Sequence, residues 1–395
     1  MIRMDEYCSS VRDGTHDTPK PTDNGYYLVT SRAIKDNIID FADCYYISEK
    51  DYTKINERSK VDQWDVIMTM IGTVGRLYLV CDIPNYAIKN IALFKIGNED
   101  RAKWLYYYLS SNTIQNYFEL IASGTSQHFI GLGHLRKLRI ENYQKSSKRI
   151  VDILFSYDRL ILLNNQRIKL LEQMAENLYK EWFVRFRFPG FETAEFENGL
   201  PKGWKTCRFS SIANILSGGT PSTEYDEYYN GEIPFYTPKD STDNFYTFDT
   251  LIHLTEEGLQ HCNSPLYPKN TIMITARGTV GNLNLLAVPM AMNQSCYALN
   301  SDVIHSQFFL FFLAKNEILK LKKVASGGVF DTIIVKTFDH IKVVIPTDNL
   351  IILFDKIISP IMNECKKLLQ KNRNLTAQRD LLLPRLMSGK LEVIK

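Results

Sequence analysis

The sequence predicts an α+β fold. Two similar modules of mixed β-sheet with helices are separated by two long helices that pair antiparallel, and the whole is an internal pseudo-twofold repeat. Three observations predict it. Short stretches recur at offsets of 203 to 206 residues in a chain of 395. Ile71-Gly72-Thr73-Val74-Gly75 returns as Arg277-Gly278-Thr279-Val280-Gly281, Ile121-Ala122-Ser123-Gly124 as Val324-Ala325-Ser326-Gly327, and Leu171–Phe183 as Leu375–Met387. Solenoid units repeat every 20 to 50 residues or so, so this period marks a duplicated domain with a duplicated connector. Each copy also holds short β-type runs between turn residues. Each then ends in a long apolar series spaced alternately three and four residues apart, the pattern of a coiled-coil seam.

Module one covers residues 1–146. Asp65–Met70 reads as a strand before the Gly72 turn, residues 101–120 as one helix with an aromatic face around Trp104, Tyr107 and Tyr108, and Leu138–Ile140 as the closing strand. The central connector, 147–188, carries the seam Ile150, Leu154, Tyr157, Ile161, Asn164, Ile168, Leu171, Ala175, Leu178 and Trp182, and Phe188-Pro189-Gly190-Phe191 breaks it. Module two, 189–346, repeats the plan with a helix over about 306–324 and a closing strand at 341–345 that Pro346 ends. The C-terminal connector, 347–395, carries Ile351, Phe354, Ile358, Ile361, Cys365, Leu368, Asn372, Leu375, Arg379, Leu382 and Leu386. Pro360 is expected to kink this helix, Pro384 to distort its end and Gly389 to stop it. Arg379 reads as a helix-end cation that snorkels to solvent. Asn164 and Asn372 either fix the register or mark a solvated break. At about 1.5 Å per residue the seam from Ile150 to Trp182 is roughly 50 Å long.

Charge and composition exclude several classes. The chain is 45% apolar and 23% charged, with a net charge of only +3. Modules one and two carry 18 basic against 18 acidic and 12 against 16, the connectors 8 against 5 and 9 against 5. The positive excess therefore sits in the connectors, and a nucleic-acid partner would meet local clusters rather than a basic domain. No run of 18 apolar residues predicts a membrane span, and the N-terminus lacks the apolar core of a signal peptide. The seven scattered cysteines suit reduced thiols in the cytoplasm. There is no G-x-x-x-x-G-K-[ST] phosphate loop, no G-x-G-x-x-G fingerprint, no H-E-x-x-H, no Asn-Pro-Pro-Tyr run and no Cys/His cluster with metal spacing. The chain reads as non-catalytic on its own, with no metal site and no cofactor.

Several stretches together resemble the DNA-specificity subunit of type I restriction-modification systems. Val11-Arg12-Asp13-Gly14-Thr15-His16-Asp17-Thr18-Pro19 and Leu216-Ser217-Gly218-Gly219-Thr220-Pro221-Ser222 resemble the opening motif of its target recognition domains. The two Gly-Thr-Val-Gly turns resemble its central turn. Leu171–Val184 and Leu381–Gly389 resemble the ends of its two conserved helices. One departure stands out: module two is preceded by Gly203-Trp204-Lys205-Thr206 and an opening strand, whereas module one begins almost at its Gly-Thr motif, short by roughly ten residues. The resemblance implies that each recognition domain reads one half of a bipartite DNA site, with a gap set by the paired helices. It also implies docking of two methyltransferase subunits, which carry S-adenosylmethionine, and of restriction/translocase subunits, which use ATP and Mg. Apolar residues off the seam, such as Phe155, Leu163, Tyr179 and Phe183, are the expected docking face.

Which side chains read bases is argued from chemistry alone. Direct readout uses Arg or Lys for guanine and Asn or Gln for adenine, carried on exposed loops. Turn-proximal candidates are Thr15, His16, Lys20, Arg32, Arg76, Gln127 and His128 in module one. In module two they are Thr220, Ser222, Lys239, Arg277, Asn282, Asn293 and Gln294. The stretches around Gln127 and around Gly327-Gly328 differ greatly between the copies, which predicts an asymmetric target. The competing function is a scaffold of two modules on a coiled coil that binds protein rather than DNA.

Overall fold

The computed structural model describes residues 1–35, 37–122, 128–324 and 332–391. The chain folds into two compact units, Met1–Ile161 with Leu375–Lys395, and Leu162–Asn374.

In the N-terminal unit, four antiparallel strands lie in the order Ser10–Asp13, Ile91–Lys95, Val66–Thr69, Leu77–Leu79. Val66–Thr69 is buried at all four positions, as a β-branched run packed on both faces requires. A second sheet sets Tyr26–Val29 between Tyr45–Ile47, antiparallel, and Tyr86–Ile88, parallel. Val29, Ile34, Ile67, Ile88 and Leu93 form one core cluster. On the other side, Phe94, Trp104, Tyr107 and Phe118 pack with Val151 and Leu154 of one long helix and Leu383 and Leu386 of another.

The sequence predicts one helix over 101–120; there are two, Glu99–Ser110 and Asn112–Ile121. Ser111 separates them at ψ 142°, and its hydroxyl donates to the Tyr108 carbonyl at 2.7 Å. This is the local competition that makes serine a helix breaker. Module one also has an opening strand: Ile2–Arg3 pairs with Arg139–Ile140.

The second unit repeats the strand order. Asn214–Ser217, Cys296–Asn300, Ile272–Thr275 and Leu283–Leu286 are antiparallel, and Tyr246–Thr247 is added in parallel at the edge. Tyr229–Tyr236 lies between His253–Leu254 and Ala291–Met292, and Lys205–Arg208 pairs with the closing strand Lys342–Ile345. The helix Gln307–Val324 supplies Phe309 and Phe312 to an aromatic core with Tyr179, Phe183 and Phe354.

One long helix covers Lys148–Tyr179 and continues as a wider turn over Lys180–Val184; the other covers Asp348–Met387. The first ends at Arg185 and Phe186, the latter at φ 58°, a few residues before the expected Phe188-Pro189-Gly190 break. The second runs through Pro360 and Pro384 without interruption. Both prolines are exposed, so water can reach the carbonyls they free, where a buried proline would break the helix. Gly389 follows the helix at φ 70°, as a C-terminal stop requires.

Within the second unit, Asn164 donates to Asn372 at 2.8 Å and Asn372 to Asn165 at 2.7 Å. Arg167 pairs with Glu364 at 3.0 Å, and Trp182 meets Phe354 at 5.8 Å between ring centroids. Partner numbers fall as helix numbers rise. Ile168, Ala175, Ile358, Cys365 and Leu368 are buried as the seam predicts.

Two expectations for these helices are corrected. Tyr179 and Phe183 are buried in the chain's own core, because the end of the helix and the wide turn after it pack them against Phe309 of the Gln307–Val324 helix; they offer nothing to a partner. Arg379 does not snorkel as a lone cation. It pairs with Asp158 at 2.5 Å and Asp380 at 2.8 Å.

Glu172, on the first long helix, accepts the Phe245 amide at 2.7 Å. Burial pushes its carboxyl up to about 7, against the pull of that hydrogen bond and of Lys315. The folded chain therefore holds this proton more tightly than the unfolded chain does. The resulting stability is full below the ordinary Glu range near 4.3 and is lost as pH rises through about 7. Glu172→Gln keeps an acceptor for Phe245. It is expected to raise stability at pH 8 by about 1–2 kcal/mol, discounted for partial exposure, and to leave pH 4 nearly unchanged. Urea midpoints at the two pH values check this.

Candidate nucleic-acid interface

The repeated Gly-Thr-Val-Gly turns are built alike. In module one the Thr69 hydroxyl donates to the Thr73 carbonyl at 2.5 Å and accepts the Arg76 amide at 3.0 Å. In module two Thr275 donates to Thr279 and accepts the Asn282 amide at 3.1 Å. Both threonines are fully buried. The glycines lie at φ 79° and 86° in one turn and 75° and 75° in the other, a left-handed region costly for other residues. The spacing Gly-x-x-Gly thus serves the turn itself. The threonine three residues before each first glycine was not singled out by sequence reasoning. Its signal was the recurrence of Thr69 and Thr275 at the offset of the turns. Thr275→Val is expected to cost about 1 kcal/mol by removing the hydroxyl that pairs the Thr279 carbonyl and the Asn282 amide, both only partly buried, read as faster hydrogen exchange at Asn282.

The opening motifs also match. Gly14 and Gly218 lie so close to a strand that an added Cβ would stand 2.3 Å from the Ile88 carbonyl oxygen and 2.2 Å from that of Met292. Each loop then presents a side chain to the link between two strands. His16 Nδ1 meets Asn90 Oδ1 at 2.8 Å, and Thr220 donates to Gln294 at 2.5 Å. His16 Nε2 is also held by Asp13 at 2.9 Å, and Arg58 pairs with the same carboxylate. Asn90, at φ 55°, was missed by sequence reasoning.

Three of module one's candidates, Thr15, His16 and Arg32, lie along this link. Thr15 bridges to Lys89. The Ser31 hydroxyl reaches the Asn90 carbonyl at 3.5 Å, which brings exposed Arg32 alongside. Arg76 donates to the Ile34 carbonyl at 3.3 Å, and the Gly72 amide donates to the His128 carbonyl at 3.0 Å. Lys20 is exposed on the segment after His16, with no hydrogen bond tying it to the cluster among the described residues. Gln127, the loop of Gly124-Thr125-Ser126 before it and Gly327-Gly328 lie outside the described residues.

In module two, Asn293 donates its amide to the Tyr236 carbonyl at 3.0 Å and accepts the Ser295 amide at 3.0 Å. The Ala276 amide donates to the Ser295 carbonyl at 2.8 Å, which sets exposed Arg277 beside Gln294 and Ser295. Thr279 donates to the Pro238 carbonyl at 3.3 Å, so Lys239 stands next to the Gly278 turn. Ser222 is occupied in a local turn with Glu224. Asn282 lies half-buried at the foot of the turn rather than on its tip.

The two clusters share a frame and differ in what it carries. Position for position, Arg76 answers to Asn282, Ile71 to Arg277, and the His16–Asn90 pair to Thr220–Gln294. Among the described residues no group of three metal-ligating side chains is assembled, and no helix is long and apolar enough to cross a membrane.

Comparison with known proteins agrees with this plan. Residues 2–173 and 201–378 each match the family model described as the type I restriction modification DNA specificity domain. The type I restriction enzyme HindI specificity subunit of Haemophilus influenzae is 25% identical over 85% of this chain and 88% of its own. The EcoR124I/EcoR124II specificity subunit of Escherichia coli is 26% identical over 64% and 61%. The crystal structure of a type I restriction-modification S subunit from M. genitalium matches with a TM-score of 0.59 at 16% identity, covering 98% of this chain and 95% of that one; it speaks to the fold alone. With both modules matched, the chain belongs to the type I restriction-modification DNA specificity family.

Proposed function

We propose that the chain is the specificity subunit of a type I restriction-modification complex and reads a bipartite, asymmetric site in double-stranded DNA. The observation that carries this reading is the repeated frame, a threonine-stapled turn beside a glycine-seated loop, dressed with different side chains in each module. A shared frame suits a shared ligand, and different side chains suit different half-sites. Residues 1–146 and 189–346 are the two recognition domains. The readers are drawn from Thr15, His16, Lys20, Arg32, Arg76, Gln127 and His128, and from Thr220, Ser222, Lys239, Arg277, Asn282, Asn293 and Gln294.

The connectors, 147–188 and 347–395, form an antiparallel two-stranded coiled coil related by the pseudo-twofold repeat. Its length sets the half-site spacing. A 32-residue helix rises about 48 Å, longer than the 34–36 Å of one DNA turn. The buried Asn372, paired with half-buried Asn164 and exposed Asn165, fixes its register, a use of polar seam residues known from coiled coils.

The chain supplies no catalytic group. Two methyltransferase subunits bring S-adenosylmethionine, and restriction/translocase subunits bring ATP and Mg; the assembly works in the cytoplasm. Exposed Leu160, Leu162, Leu163, Leu170 and Met174, with half-buried Phe155, are apolar contacts on the first helix that remain for docking once Tyr179 and Phe183 are discounted. Hydroxyl-radical footprinting of the chain with its methyltransferase subunits tests the reading. Two protected blocks around an unprotected gap of constant length are expected; one continuous block, or none, contradicts it.

A further inference from the structure

The opening and closing strands of each module carry a feature that sheet stability alone does not favour. Arg3 stands directly across from Arg139, and Arg208 directly across from Lys342. Residues opposite each other in an antiparallel pair point to the same face, and like charges there destabilise the pair. All four are exposed, while their neighbours Ile140 and Val343 are buried, so the cations face solvent.

The two pairs occupy one place in the fold. The amide after the first cation donates to the carbonyl two residues before the second cation's successor in the same manner in each module: Met4 to Leu138 at 2.8 Å, and Phe209 to Ile341 at 2.9 Å. Arg3 has its own counter-ion, Asp5, at 2.6 Å. Arg139, Arg208 and Lys342 have no ion-pair partner among the described residues. Beside Lys342 opens a cavity of about 450 Å³ that Lys336 and His340 also line; the carboxylate of Glu317 there is taken by Lys320 at 2.7 Å.

We infer that these cross-strand cations are a sequence-independent phosphate-contact site, one per module, for the backbone of the DNA whose bases the loops read. The inference rests on the DNA reading above. A phosphate beside Arg139 in module one, where Arg3 already has Asp5, and between Arg208 and Lys342 in module two supplies the counter-charge that the sheet itself does not. It also answers how modules with no net positive charge hold a polyanion: the contact is local and duplicated. Such contacts position a protein on the duplex without choosing its sequence.

The test uses the full chain at low ionic strength and a random-sequence 30-bp duplex as probe. Binding is followed by fluorescence anisotropy across a salt series. Each phosphate contact contributes about 0.9 to the slope of log K against log salt. The variant R139Q/R208Q/K342Q is expected to lose about two to three from that slope and at least tenfold in affinity at low salt. Lys342→Arg should keep the wild-type slope. The thermal midpoint of the triple variant should not fall, since like charges are removed, which separates lost contact from lost fold. A triple variant with wild-type slope and affinity overturns the assignment while the DNA reading stands. So does a triple variant that binds DNA normally yet no longer retains its methyltransferase subunits, which gives the cations to a protein face. A wild-type chain that binds no duplex, alone or with those subunits, overturns the reading and the assignment together.

Discussion

Asp158→Ala is expected to lower the stability of the N-terminal unit by about 3 kcal/mol. Asp158 accepts from Arg379 at 2.5 Å and from the Tyr107 hydroxyl at 2.6 Å. Its side chain is 11% exposed and that of Arg379 25%. Removing the carboxylate strands a largely buried guanidinium and a buried hydroxyl. The cost is the penalty of the groups left behind, not the worth of the pair. The other half of the chain shows what can stand there instead. At the repeat offset of 204 that relates Leu171 to Leu375, Asp158 and Arg379 answer to Met362 and Ala175, both fully buried. The combined variant Asp158→Met, Arg379→Ala, Tyr107→Phe should therefore recover most of the loss. Urea unfolding of the two variants and the wild type decides it: a single variant as stable as wild type would show that the ion pair holds nothing.

Gly218→Ala should be the most damaging change to recognition by module two. Its Cβ would stand 2.2 Å from the Met292 carbonyl oxygen and 2.7 Å from that of Asn293. These are backbone atoms of the frame and cannot swing aside. The loop must lift, separating Thr220 from Gln294. A local cost of about 2–4 kcal/mol is expected, with loss of protection over one half-site and a fall in site affinity of at least tenfold, about the worth of one lost base contact. Gly14→Ala, 2.3 Å from the Ile88 carbonyl oxygen, should do the same to the other half. Gly133→Ala is the control, since an added Cβ there meets nothing within 4 Å and its helical position favours alanine. Equal footprints for Gly218→Ala and the control would mean that the loop reads nothing.

Much of this was legible in the sequence because it is encoded in repeats and periods. The duplicated Gly-Thr-Val-Gly turn located the same hairpin in both sheets. The three-four spacing placed Ile168, Ala175, Phe354 and Ile358 in buried rows. What was not legible depended on distance through space. Tyr179 and Phe183 look like off-seam residues on a helical wheel, and only the wide turn at 180–184 shows that they enter the module-two core. Arg379 breaks an apolar series, and nothing near it in sequence names Asp158 as its partner. The break at Ser111 falls between two stretches that each keep a helical apolar pattern, so periodicity alone reads 101–120 as one helix where there are two. Among the candidate readers, the turn rule chose Arg277 and Gln294, which the bond from the Ala276 amide to the Ser295 carbonyl sets on neighbouring segments. It could not tell that Ser222 is committed to its own turn, or that Asn282 sits at the foot of its hairpin.

Two dissimilar readers on one repeated frame are expected to recognise two half-sites at a set spacing. Mapping of methylated adenines across the genome, in cells with and without this chain, tests it most directly. The expected result is a motif lost with the chain, made of two different specified blocks separated by an unspecified gap of constant length. A contiguous motif, two identical blocks, a variable gap, or a methylation pattern indifferent to the chain would contradict it.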